Sequence, residues 1–331
     1  MSRRKNELNQ REIRIMETKV KTYVESFAAA LDLFLKDCEV RNLRPHTIRY
    51  YQNEIHACLN QLREQGINVE TLSPVLVKQE HIKENVIAYM RHQKGLRIVT
   101  INTRLRALRA FFNYLFKAKH IPQNPFDGIT LLKDRKTVIA TFSKEQLNKL
   151  FKQPDLKTFT GVRDYTILML LLETGIRASE LVGISIEDIL WEDELIIIRQ
   201  SKSYRQRQVP ITKPMRQQLK KYIAIRGSIE TNALFSTVDS NPLSKRGLQN
   251  QIKKYGNEAG IRGVRCSPHT FRHTFAKLSV QNGANIFELQ AILGHTSFEI
   301  VKTYVNLFGN DVRDRHREFS PLRMLDNLIN P

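Results

Sequence analysis

DELIIIRQSKSYRQRQVPI, residues 193–211, interrupts a chain whose pattern is otherwise helical. The runs 195–199 and 206–211 are short and rich in β-forming residues, and the polar span between them reads as a turn, so the stretch predicts a β-hairpin. Upstream, GVRDYTILMLLLETG at 161–175 is apolar nearly all round. That is the pattern of a helix buried on every side, with Gly175 placed to end it in the left-handed conformation. Further upstream, Ser143 followed three residues later by Gln146 has the spacing of a capping box and predicts a helix start. Helical pattern resumes after the hairpin and runs to the C-terminus. The expected second domain is therefore mainly α with a small antiparallel β-sheet.

The first part of the chain carries only helical period. YVESFAAALDLFLKDCEV, HTIRYYQNEIHACLNQLREQ, KQEHIKENVIAYMRHQ and TINTRLRALRAFFNYLFKAKH predict a bundle of four helices. In the last of them Ile101, Leu105, Leu108, Phe112 and Leu115 form one apolar stripe at 100° per residue, while Asn102, Arg106, Arg109, Asn113 and Lys117 gather on an adjacent face. A basic and amide face suits a helix laid in a DNA groove; an ordinary solvated face is the alternative. Two prolines, a glycine and Lys133, Arg135 and Lys136 then break the period between 120 and 138. The expected layout is a basic tail over 1–22, a helical domain over 23–127, a basic linker over 128–142 whose three cations join the candidate DNA contacts, and a second domain over 143–331.

Charge narrows the function. The 331 residues include 53 Lys and Arg against 33 Asp and Glu, a net +20, which creates a field that attracts a polyanion, nucleic acid above all. An anionic membrane surface is the rival partner, but neither end carries a strongly amphipathic lysine-rich helix. The longest apolar run, Tyr165–Leu172, is too short to span a membrane, and the first residues lack the apolar core of a secretory signal. Cys38, Cys58 and Cys266 are too few and scattered for a disulfide framework or zinc finger, which fits a reducing cytoplasm.

CSPHTFRHTFAKL, residues 266–278, places His269, Arg272 and His273 on one helix face. Three readings compete: a metal pair, an anion-binding cluster, or a solvated basic turn. Arg272 puts a fixed positive charge beside any metal held by the two histidines, and the glutamate of the H-E-x-x-H protease motif is missing. The anion reading gains from the neighbours: Arg177 in TGIRASELVGI just past Gly175, Lys202 in the hairpin turn, His295 in LGHTS and Tyr304 in TYVNL.

The series Arg177, Lys202, His269-x-x-Arg272, His295, Tyr304 resembles the active-site signature of the tyrosine recombinases, the family of phage integrases and Xer-type enzymes. The matching strings are TGIRASEL, SKSYRQRQVPI, HTFRHTFA, LGHTS and TYVNL, and the four helices with NPFDGI resemble the family's core-binding domain, so the likeness covers nearly everything from residue 23. Ser201 and Ser203 stand where the family usually has glycines around the lysine. The resemblance implies a two-domain clamp on double-stranded DNA bearing specific recombination sites, with cleavage through a covalent 3′-phosphotyrosine.

Chemistry fits the same set. Breaking a phosphodiester needs a nucleophile, compensation of charge on the non-bridging oxygens and a proton for the departing 5′ oxygen. Tyr304 can supply the nucleophile, although a reference pKa of about 10 leaves only about one phenol in a thousand ionised at neutral pH. Arg177 and Arg272 can each present a fork of donors to phosphate. Combined with the resemblance, this makes Lys202 the expected general acid, His269 the acceptor of the tyrosine proton and His295 a hydrogen-bond donor to the phosphate. Glu180 is read either as an ion-pair partner that orients Arg177 or as a surface carboxylate, and His273 is assigned to structure.

The phosphotyrosyl bond conserves the energy of the broken linkage, so no ATP, metal or other cofactor is expected. The sequence carries neither a phosphate-binding G-x-x-x-x-G-K-[ST] loop nor an acidic cluster for two-metal chemistry. The tail from 311 to 331 carries Leu322, Met324, Leu325, Leu328 and Ile329, the stripe of a short apolar helix that either packs on its own protomer or docks on a neighbour. By the resemblance it links protomers into a tetramer on two DNA sites, with accessory proteins a further expectation. Only about 22 residues precede the helical domain, which suggests an enzyme without an arm-binding domain, carried by a transposon, integrative element or plasmid and acting on DNA in a bacterial cytoplasm. Two rivals remain at this level. A type IB topoisomerase would relax supercoils without site preference, and an inert DNA-binding regulator would be indifferent to loss of the Tyr304 hydroxyl.

Overall fold

A computed structural model describes residues 23–134, 140–199 and 206–294, with Glu7, Asn9 and Gln10 besides. The chain divides into two compact units between Thr137 and Val138.

The first unit has four long helices and one 3-10 turn (Pro74–Leu76) in its described residues 23–134. Helix α1 (Phe27–Val40) starts where Ser26 Oγ accepts the Ala29 N–H at 3.2 Å. Helix α2 (Pro45–Glu64) starts at a proline, whose fixed φ suits the first helical position. Helix α3 opens as one α-helical turn (Gln79–His81) and continues in the wider π form (Ile82–Gln93), and α4 spans Ile98–Lys117. The stripe expected on α4 is its buried face, with Ile101, Leu105 and Leu115 fully buried and Leu108 and Phe112 nearly so. It meets an aromatic cluster in which Phe111 lies 5.1 Å from Phe112 and 5.6 Å, edge-on, from Phe34.

The polar face of α4 is not simply a solvated one. Asn102 is 7% exposed, and its amide exchanges two hydrogen bonds of 2.9 Å with the backbone of Leu132. Arg109 Nη2 donates to Ile129 O at 2.6 Å, and Asn113 Oδ1 accepts from Asn124 at 2.7 Å. The chain from 120 to 132 is thus strapped along the helix, with Ile121, Phe126 and Ile129 in the core. The first part of the expected linker accordingly belongs to the first unit, because its apolar residues have a core to enter and its backbone has side-chain partners.

In the second unit, α5 (Lys144–Phe151) carries the expected capping box: Ser143 Oγ accepts from Gln146 N at 3.2 Å and Gln146 Oε1 from Ser143 N at 2.9 Å. Helix α6 (Phe159–Thr174) is buried on most sides and ends at Gly175 with φ +59°. A short helix α7 (Ala178–Leu181) follows, then a three-stranded antiparallel sheet of β1 (Ile189–Leu190), β2 (Leu195–Ile198) and β3 (Arg207–Pro210), in that order. The hairpin β2–β3 pairs Ile196 with Val209 and Ile198 with Arg207, the hairpin's four residues on the sheet's inner face. The sequence reading did not anticipate β1, since two residues are too few to show alternation. Helices α8 (Lys213–Arg226), α9 (Lys245–Glu258), α10 (Pro268–Gln281) and α11 (Ile286–Leu293) complete the described part.

Candidate active site

The site forms where two helices end. An α-helix leaves its last four carbonyls without partners inside the helix, and its C-terminus carries partial negative charge. At the end of α11 these carbonyls face three arginines. Arg207 Nε donates to Ile292 O at 2.9 Å, Arg272 Nη2 to Leu293 O at 2.7 Å, and Arg177 Nη2 to Gly294 O at 3.2 Å. Arg272 also joins the second helix end, its Nη1 donating to Gly175 O at 2.8 Å.

Each arginine arrives by a different route. Arg177 follows the left-handed turn at Gly175 and precedes α7. Gly175 tolerates no side chain, since a Cβ there would lie 2.5 Å from Phe275 Cδ1. Arg272 stands one turn into α10, whose start is capped by Ser267 Oγ accepting the Thr270 N–H. It is 3% exposed. Arg207 comes from the sheet, opposite Ile198.

A single carboxylate orders two of them. Glu180, 2% exposed, accepts from the Arg177 backbone N–H at 2.9 Å and from Arg177 Nη1 at 2.7 Å, and it forms a two-pronged pair with Arg207 at 2.8 and 3.1 Å. Burial pushes Glu180 upward, but the hydrogen bonds and charge of Arg207, followed by the bonds from Arg177, more than reverse this and hold it below the usual glutamate value. Of the two readings of Glu180, the ion pair is the one found. Three guanidinium groups against one carboxylate leave an excess of positive charge suited to a phosphate.

His269 and His273 contact each other edge to face, ring centroids 4.2 Å apart. Partial burial lowers the pKa of His269, and the charges of Arg272, Arg177 and Arg265 lower it further. His273 is shifted more, to about 4, by burial first and then by His269 and Arg272. Both imidazoles are therefore neutral at pH 7. Among the described residues, no three His, Cys, Asp or Glu side chains gather where a metal ion could be held.

Of the six expected catalytic residues, Arg177, His269 and Arg272 come together here. Lys202, His295 and Tyr304 lie outside the described residues, although Gly294 is the residue before His295. Of the expected DNA contacts, Arg106, Lys117 and Lys133 are exposed, and Arg135 and Lys136 lie outside the described residues. Asn102 is a correction: its amide is buried and spent on Leu132, so it is structural. Arg109 and Asn113 are half-buried and also hold the strap. Arg207 was missed. The available signal was strand alternation, which puts it on the same inward face as Val209.

Comparison with known proteins gives the family and the fold. The model of the phage integrase family matches residues 140–310, and that of the phage integrase N-terminal SAM-like domain matches 31–119. The tyrosine recombinase XerC of Chlamydia caviae is 30% identical over 317 residues, which cover 90% of this chain and 99% of that protein. The tyrosine recombinase XerC of Bacillus subtilis is 27% identical over 310 residues, covering 91% and 97%. A solved lambda integrase dimer bound to a COC′ core site shares the fold with a TM-score of 0.71 at 17% identity, covering 92% of this chain and 83% of that one. With the family match spanning every described residue of the second unit and relatives aligned over most of the chain, this protein belongs to the phage integrase family and is a tyrosine site-specific DNA recombinase.

Proposed function

We propose that this recombinase cuts duplex DNA at specific sites by attack of the Tyr304 phenol oxygen on a backbone phosphorus. A bond forms from Tyr304 Oη to phosphorus and the bond from phosphorus to the 5′ oxygen breaks, leaving a 3′-phosphotyrosine and a free 5′ hydroxyl. His269 takes the phenol proton, and Lys202 gives a proton to the departing oxygen. Arg177 and Arg272 hold the non-bridging oxygens and His295 donates a further hydrogen bond. Reversal on a new strand, with the 5′ hydroxyl as nucleophile, rejoins the DNA without ATP.

The observation that carries this reading is the convergence of Arg177 and Arg272, distant in sequence, on Leu293 O at 3.5 and 2.7 Å. Arg177 Nη2 spends one of its two protons on Gly294 O, so a phosphate bond from the same nitrogen is compatible with that carbonyl bond. The lowered pKa of His269 favours the neutral imidazole that a proton acceptor must be.

The duplex partner is supported by the net charge of +20 and by exposed cations, among them Arg106, Lys117 and Lys133 in the first unit and Lys245, Arg246 and Lys253 on α9. Recombination on two DNA sites by a homotetramer linked through residues 318–331, accessory proteins, a role in moving a transposon, integrative element or plasmid, and action in the bacterial cytoplasm belong to the same proposal. No helix among the described residues is long and apolar enough to cross a membrane.

The test is incubation with a suicide-nicked library of the DNA flanking the gene, followed by mapping of the covalently trapped ends. Discrete ends attached through a 3′ phosphate are expected. Tyr304→Phe should bind the recovered site and trap nothing. Trapping by the phenylalanine variant would assign the nucleophile to another residue.

A further inference from the structure

The third arginine at the helix end has no part in the chemistry above, yet all three of its side-chain nitrogens are engaged. Arg207 is 11% exposed, and its planar fork meets two elements at once: Glu180 through both terminal nitrogens, at 3.1 and 2.8 Å, and Ile292 O through Nε, at 2.9 Å. Gly294 completes the fit. Its φ is +63°, and a Cβ there would lie 2.8–3.0 Å from the Arg207 guanidinium, so only glycine lets the end of α11 rest against it. The donors of Arg207 point into the protein fabric, and the group that profits is Glu180, whose remaining bonds all go to Arg177.

We propose that Arg207 is a positioning residue for strand cleavage: it holds Glu180 as the oriented carboxylate that aims Arg177, and it fixes the end of α11 from which the chain continues to His295 and Tyr304. The proposal rests on the reading of Arg177 and Tyr304 given above. Its physical basis is the cost of a buried charge. Glu180 lies between two guanidinium groups; with Arg207 gone, it keeps one partner for a nearly fully buried carboxylate, and taking up a proton becomes the cheaper state. A protonated Glu180 has lost the charge that holds the Arg177 fork in one orientation. β3 begins five residues after Lys202 in the sequence, and Gly294, at the α11 end that Arg207 holds, immediately precedes His295. A lysine could keep the charge but not the fork.

The experiment uses the full chain and the nicked duplex recovered by trapping. Single-turnover adduct formation is followed from pH 6 to 9 for the wild type, R207M, R207K and E180Q/R207M, with site binding and thermal melting measured alongside. R207M should bind within about threefold of the wild type and form adduct about 100-fold more slowly at pH 7, the scale of one lost transition-state donor. Its rate should climb with pH more steeply than that of the wild type as Glu180 loses its proton. R207K should fall between the two, and E180Q/R207M should be slow without the added pH dependence.

An R207M rate equal to the wild type, or a slow R207M whose pH profile runs parallel to it, would overturn the proposal. If R207M does not melt cooperatively, R207K decides by the same comparison, a wild-type rate and profile counting against the proposal. Absence of adduct from the wild type itself would remove the reading of Tyr304 and the proposal with it, whereas equal adduct rates from wild type and R207M remove the proposal alone.

Discussion

Glu180 and His273 are both titrating side chains taken out of water, with opposite consequences. Glu180 gains two guanidinium partners and is held below its usual value, so it is ionised throughout the neutral range. A depressed carboxylate contributes stability above the ordinary glutamate range, and that contribution is lost as pH falls through its folded pKa. His273 is lowered by burial first and then by the charges of His269 and Arg272, to about 4 from an ordinary value near 6.5. Its contribution to stability is therefore fully present above 6.5 and is lost as pH falls towards 4, because over that window the unfolded chain binds a proton that the folded one refuses. His273→Gln removes this proton uptake. Urea unfolding at pH 7.5 and 4.5 should show the variant losing less stability on acidification than the wild type, and an equal loss in both would mean that His273 is solvated. The R-x-x-E spacing of Arg177 and Glu180 was visible in the sequence, but the burial that gives the pair its strength was not.

Helix α4 shows why an amphipathic pattern specifies the inside of an element better than its outside. Its apolar stripe has one physical use, and all five residues are buried. Its polar face has several, and the structure divides it between Asn102, Arg109 and Asn113, which hold the strap, and Arg106 and Lys117, which face solvent. This division gives a paired prediction. Asn102→Ala should lower the unfolding free energy by about 1–3 kcal/mol, because it removes a two-bond clamp and leaves backbone groups of Leu132 without it. Arg106→Ala should leave the melting temperature unchanged, weaken binding to duplex DNA and reduce the slope of log affinity against log salt by about 1. Reversed outcomes would return Asn102 to the DNA-facing set.

At the level of the whole molecule, two units with separate cores carry a common excess of positive charge, and the sequence continues past Tyr304. Non-specific affinity for DNA should be strong and steeply salt-dependent, as expected when cations replace condensed counterions. Deleting residues 318–331 should leave binding to a single site mostly intact and weaken the pairing of two sites, measured by mobility shift and by a recombination assay. Normal recombination by the truncated protein would show that the tail packs on its own protomer or is dispensable.

The sequence by itself determined the elements. Hydrophobic period separated the bundle from the hairpin-bearing domain, the capping box of Ser143 and the left-handed glycine at 175 set helix ends, and the order of Arg177, Lys202, His269, Arg272, His295 and Tyr304 established the family, with the roles of the six residues a proposal. These are local or ordinal signals, readable because caps, periods and motifs involve neighbours along the chain. Which polar groups are buried was decided only by tertiary structure. Arg207 looks like any strand arginine until β3 is laid beside α11, and Asn102 looks like a groove-reading amide until the strap returns along α4. In each case the partner comes from a separate segment of chain, and only the packing of apolar faces brings the two close enough to exchange hydrogen bonds.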